Sequence, residues 1–152
     1  MIQRLRRRAR EQKGFILIEL LVVVIIIGIL AAIAIPVFLG QRGKANDAGA
    51  ESALRNSATA METYYTDGQT YVGGNAAALG AIEPSVTFTD AALAAGTAPA
   101  TVALSGQSAT GYTMLSNSKS GRVYAYVKAG NTVTRSWYAT FASYPATVGG
   151  SW

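Results

Sequence analysis

Residues 15–39 form a run of 25 residues that carries one charge, Glu19. Nineteen of them are Phe, Ile, Leu or Val; the other six are Glu19, Gly28, Ala31, Ala32, Ala34 and Pro36. As a helix the run extends about 37 Å at ~1.5 Å per residue, enough for a ~30 Å hydrocarbon core. At roughly −0.3 to −0.6 kcal/mol each, the nineteen favour insertion by about 6–11 kcal/mol, against about 3 kcal/mol for one carboxylate. Insertion wins. A secretory signal peptide does not fit, because its apolar region spans about 7–15 residues and ends at a small-residue cleavage site. Here the exit reads Ile35-Pro36-Val37-Phe38-Leu39.

Charge is concentrated at one end. Arg4, Arg6, Arg7, Arg8, Arg10 and Lys13 face Glu11 alone within residues 1–14, and the rest of the chain is balanced, so the net +5 belongs to that segment. Basic residues ahead of an apolar span place the N-terminus in the cytoplasm and everything after Leu39 outside. With no cysteine and no histidine, the chain has no disulfide, no thiolate or imidazole metal ligand and no histidine base. No serine, lysine or aspartate is recognisable as a nucleophile beside a base. The sequence reads as no enzyme and calls for no cofactor or metal.

A plain membrane anchor leaves Glu19 unexplained, since charges inside membrane spans usually serve a function. The segment Lys13-Gly14-Phe15-Ile16-Leu17-Ile18-Glu19, followed by apolar residues to Pro36, resembles the N-terminal signature of type IV pilins and pseudopilins. Ile16 stands where that family most often has Thr. The resemblance covers residues 13–36 and is architectural beyond residue 40. It implies cleavage between Gly14 and Phe15 by a prepilin peptidase, which also methylates the new Phe15 amine. A glycine suits the tight cleft such a cut requires. The family further implies that Glu19 pairs with the freed amine of Phe15 between neighbouring subunits, since pairing relieves two costly buried charges. It also implies that residues 28–36, bounded by the helix breakers Gly28 and Pro36, lose helicity in the filament; the alternative from the residues alone is a kink at Pro36.

The implied organisation is a leader over 1–14, a membrane or filament-core half-helix over 15–39, an amphipathic half-helix over 40–66, and a head over 67–152. Leu54, Ala58, Met61 and Tyr65 share one helical face, Glu51 and Arg55 can pair, and Gly68 suits a left-handed cap. Residues 69–110 read as a variable loop with short strands near Val86–Phe88 and Thr101–Leu104 and a short helix from Asp90. Tyr112–Ser116, Arg122–Lys128 and Val133–Ala139 read as antiparallel strands, with a turn at Gly130-Asn131. The fold class is therefore α+β, a pilin fold: one long helix whose outer half packs on a small antiparallel sheet. Without a disulfide, closure falls to Trp137, Phe141 and Trp152.

On a strand, Arg122, Tyr124, Tyr126 and Lys128 share one face. A two-residue turn sets Tyr124 opposite Trp137 and Tyr126 opposite Arg135; a three-residue loop would flip the register and dissolve the patch. The two-residue register makes either a contact patch for bases, sugars or phosphates, or an ordinary solvated face with cross-strand aromatic pairs. Four dispersed charges favour the second. The resemblance implies a filament subunit serving adhesion, twitching or DNA uptake. Its partners would be membrane lipid before assembly, the prepilin peptidase and methylase, an inner-membrane assembly platform, further copies of itself, and DNA or surface receptors. It would begin as a single-pass inner-membrane protein and end in an extracellular filament. The alternative is a type II secretion pseudopilin. The lack of acidic residues after Asp90 weighs against a calcium site near the C-terminus of the kind pseudopilins often carry.

Overall fold

A computed structural model describes residues 16–94, 98–139 and 152. The leader, Gly14, Phe15 and Phe141 lie outside the described residues. The chain divides into a unit up to Gly40 and a unit from Gln41 to Trp152. Helix α1 spans Leu17–Gly68 and includes Pro36.

In the first unit, the helical residues from Leu17 to Gly40 are exposed apart from half-buried Ala31. Gly28 and Pro36 both stay within α1 in this single chain. By length and composition α1 can cross a membrane. Its apolar surface has no intramolecular partner among the described residues, which is what a segment solvated by lipid or by other chains requires.

In the second unit, α1 buries Asp47, Ala50, Ala53, Leu54, Ser57, Ala58, Ala60 and Met61. The spacing of three and four makes one helical face. Tyr65 continues it half-buried, its ring stacked on Tyr71 at 4.5 Å. The helix continues to Gly68, and the left-handed residue after it is Gln69 (φ 53°) rather than the expected glycine. The Gln69 amide donates to Tyr65 O at 2.7 Å, closing the last turn despite that conformation.

Helix α2, Ala76–Ile82, lies in the segment read from sequence as loop. Asn75 caps it, its side chain accepting from the Ala78 amide at 2.9 Å. No helix forms at residues 90–93; Leu93 instead extends into an apolar cluster with Ala103, Leu115, Val123, Ala125 and Tyr138.

Among the described residues, five strands form one sheet in sequential order: β1 Thr87–Thr89, β2 Thr101–Ser105, β3 Gly111–Asn117, β4 Val123–Ala129 and β5 Thr132–Tyr138. The β1–β2 pair is parallel; the other pairs are antiparallel, as expected for the last three strands. Ala129 pairs with Thr132, so Gly130-Asn131 is a two-residue turn, and Gly130 takes φ 59°. The main core joins α1 to one sheet face through Leu54, Met61, Val102, Leu104, Tyr112, Met114 and Tyr124.

Candidate functional site

Glu19 sits in the first turn of α1. Its carboxylate accepts from the Ile16 amide at 3.3 Å, while the Glu19 amide donates to Ile16 O at 2.9 Å. This reciprocal arrangement satisfies an orphan helix donor and sets a negative charge at the positive end of the helix. The carboxylate is thus held one residue from Phe15. The Gly14–Phe15 bond itself lies outside the described residues.

The six residues read as a contact patch are brought together by the β4–β5 register, in which Tyr124 pairs with Trp137 and Tyr126 with Arg135. Their face, however, is the one turned onto α1. Tyr124 is buried in the main core, with Tyr126 and Trp137 packed against it. Arg122 donates to Asp47 at 2.8 Å and lies 4.7 Å from the Trp137 ring centre. Lys128 donates to Glu62 at 2.9 Å. The physical reason is that both faces of β4 are apolar, and the larger, tyrosine-bearing face fills the space over the small residues Ala50, Ser57 and Ala58 of α1.

Two carboxylates on α1, Asp47 and Glu62, therefore anchor the two ends of β4. Sequence reasoning missed both. They lie fifteen residues apart, a little over four helical turns, on the face that carries Leu54 and Met61. That spacing was the available signal. Buried Asp47 also accepts from the Ser120 hydroxyl, so the loop before β4 is tied to the helix. Burial pushes its carboxyl up, but Ser118, Ser120 and Arg122 together hold it below the ordinary carboxylate value.

Glu62 accepts from Lys128 at 2.9 Å, Tyr71 at 2.9 Å and Tyr112 at 3.1 Å. Burial again opposes ionisation, and these donors reverse it to a lowered pKa. The neighbouring Tyr71 hydroxyl and then Glu62 raise Lys128. Burial, followed by the Tyr126 and Glu62 fields, raises Tyr112 well above the usual phenol range. Each group is fixed in its neutral-pH form, with no proton poised for transfer, which suits a structural clamp. Arg135 remains exposed on β5, 5.9 Å from the ring centres of Tyr126 and Trp152. No group of three or more acidic residues able to hold a metal ion occurs among the described residues.

Residues 9–35 match the prokaryotic N-terminal methylation motif. The chain is 44% identical over 68 residues to a type IV wide pilus major component of Thermus thermophilus, covering 45% of this chain and 52% of that protein. It is 40% identical over 68 residues to the type IV major pilin of Myxococcus xanthus, covering 45% and 31% of the two chains. It is 37% identical over 65 residues to the type II secretion system core protein G of Vibrio cholerae, covering 43% and 44%. The chain thus spans about half or less of the length of these relatives. No solved structure matches it. The methylation motif coincides with the exposed apolar start of α1, and a long helix with a mostly antiparallel sheet follows. Its N-terminal segment is thus similar to those of type IV pilins and of type II secretion core proteins.

Proposed function

We propose that the chain is a pilin precursor, cut between Gly14 and Phe15, methylated on the Phe15 amine and polymerised into a type IV pilus. Before assembly its apolar helix crosses the inner membrane with the arginine-rich leader on the cytoplasmic side. After assembly the same surface lies against other copies in the filament core. The observation that carries this reading is Glu19, the single charge on an unpartnered apolar helix surface that falls within the methylation motif. Cleavage would create a cation one residue from the amide that Glu19 now holds. In apolar surroundings that amine and a neighbour's carboxylate relieve each other and fix docking register. The segment 28–36, helical in the single chain, is where Gly28 and Pro36 would let the packed helix give way.

Mass spectrometry of sheared filaments tests this directly, with N-methylated Phe15 expected as the first residue. Glu19→Ala should be cleaved normally and fail to assemble. A mature chain still beginning with its leader, or Glu19→Ala filaments at wild-type yield, overturns the reading.

A type II secretion pseudopilin is the second reading, favoured by the 37% identity to a core protein G. Long surface filaments in wild type and none in a deletion strain favour the pilus; loss of protein secretion without loss of filaments favours the pseudopilus.

A further inference from the structure

Within the unit from Gln41 to Trp152, the charges that meet α1 are mostly satisfied locally: Asp47 by Arg122, Glu62 by Lys128 and Glu51 by Arg55. Asp67 has no partner, and Arg135, like Arg42, Lys44 and Lys119, has no carboxylate partner among the described residues. The Asp67 side chain is exposed and has no hydrogen-bond or ion-pair partner among the described residues. It occupies the end of α1, where the helix dipole is negative and a cation, not a carboxylate, is favoured. The last turn supplies no basic residue. An outside cation would therefore be favoured beside this carboxylate.

Arg135 presents the opposite situation. No carboxylate lies within 4 Å of it among the described residues. Its guanidinium approaches the Trp152 ring at 5.9 Å, and the Arg55 guanidinium approaches the same ring at 5.3 Å. Two cations converging on one indole repel each other, and the exposed Glu51 pair at 3.4 Å offsets only one of them. Between them an open groove of about 370 Å³ admits a side chain; Thr59, Tyr126 and Glu62 stand in its walls, the Glu62 charge being met by Lys128. The aromatic rings hold the guanidiniums in place, so less order is lost when a carboxylate enters.

We infer that the Arg135–Arg55 groove receives Asp67 of a second copy of this chain. The inference rests on the filament reading and deepens it by naming a contact between heads. Donor and acceptor are different surfaces, so the contact is head-to-tail and repeats openly along a polymer instead of closing a dimer. A like-charge meeting at every subunit should be felt strongly, because each added copy would repeat it.

Asp67→Arg and Arg135→Glu change exposed side chains; Arg135→Glu also gives up its contacts with the Tyr126 and Trp152 rings, so the melting temperature of each variant is measured beside its yield. Each alone should lower the yield of sheared filaments about fivefold or more, with normal amounts of cleaved subunit in the membrane. The double variant should recover part of the lost yield, since the swapped charges attract again while Arg55 stays in the groove. Because the chain has no cysteine, Asp67→Cys with Arg135→Cys adds a second readout: a short bis-maleimide should give a ladder of multimers, and either single cysteine should give dimers at most. Wild-type yield in the single variants, an unrescued double variant, or filaments without a ladder overturns the contact while leaving the pilus reading intact. Lost uptake of a soluble acidic ligand with normal filaments and no ladder would reassign the groove to that ligand. A ladder in membranes of a strain without filaments would keep the contact and overturn the pilus.

Discussion

Lys128 on β4 and Glu62 on α1 meet at 2.9 Å, and the hydroxyls of Tyr71 and Tyr112 donate to the same carboxylate. One side chain thereby collects donors from the helix–sheet connection, from β3 and from β4. Removing its charge weakens all three contacts together. Glu62→Gln should lower stability by about 1–3 kcal/mol, toward the low end because the carboxylate is partly exposed. Tyr112→Phe should cost about 1 kcal/mol alone and much less in the Glu62→Gln background, which a double-variant cycle of thermal unfolding on the detergent-solubilised chain would read.

The same groups set the pH limits of the head. The folded Asp47 and Glu62 carboxyls titrate below their ordinary values of 3.8 and 4.5, so the unfolded chain takes up protons first as pH falls. Their contribution is fully present above those values and is lost as pH drops through the lower folded values. Lys128 and Tyr112 titrate above their ordinary 10.5 and 10.0, so their contribution is full below pH 10 and is lost above it. Urea midpoints should be flat from about pH 5 to 9 and fall on both sides. Glu62→Gln should flatten part of the acid limb, and an acid limb identical to wild type would show that Glu62 has no part in it.

The helix face and the hairpin turn followed from local chemistry, while the register was open between a two-residue and a three-residue turn, which the Ala129–Thr132 pair decides. Leu54, Ala58 and Met61 repeat at helical spacing, and Gly130-Asn131 suits a tight turn that demands positive φ. The side of β4 that faces the helix did not follow. Alternation separates Tyr124 and Tyr126 from Val123, Ala125 and Val127, but both sets are apolar, so nothing local ranks them. Basic residues at the ends of the tyrosine face pointed outward until their partners, fifteen residues apart on α1, were in view. Helix α2 escaped notice because seven residues are too few for a period; Asn75 as its cap was the one cue. Its neighbour β1 is three residues long and pairs in parallel with β2, a long-range choice that turn chemistry does not encode.

Two glycines should respond in opposite directions. A Cβ on Gly111 would press against the carbonyl oxygen of Lys128, which belongs to the paired backbone of β4 and cannot swing aside. Gly111→Ala should cost about 1–3 kcal/mol by forcing β3 and β4 apart. Gly80 lies inside α2 with nothing within 4 Å of the added atom. Gly80→Ala should gain up to about 1 kcal/mol by lowering the entropy of the unfolded chain. Paired melting curves of the two variants check both signs.

Trp152 replaces covalent closure with packing. Its indole N–H donates to Ser136 O at 3.0 Å on β5, and its ring meets Tyr124 edge-on at 6.1 Å. It therefore covers a buried tyrosine and bonds to the edge strand at once. Trp152→Phe keeps most of the cover and loses the hydrogen bond, which should cost about 1 kcal/mol. Trp152→Ala loses both and exposes the Tyr124 ring, and should cost about 2–3 kcal/mol, short of a fully buried tryptophan because the indole is only half-buried. Tryptophan removal should also speed amide exchange along β5, measured from Thr134 to Tyr138, while exchange in α1 stays unchanged. Equal loss of protection in both elements would mean that Trp152 holds the whole head together rather than its edge.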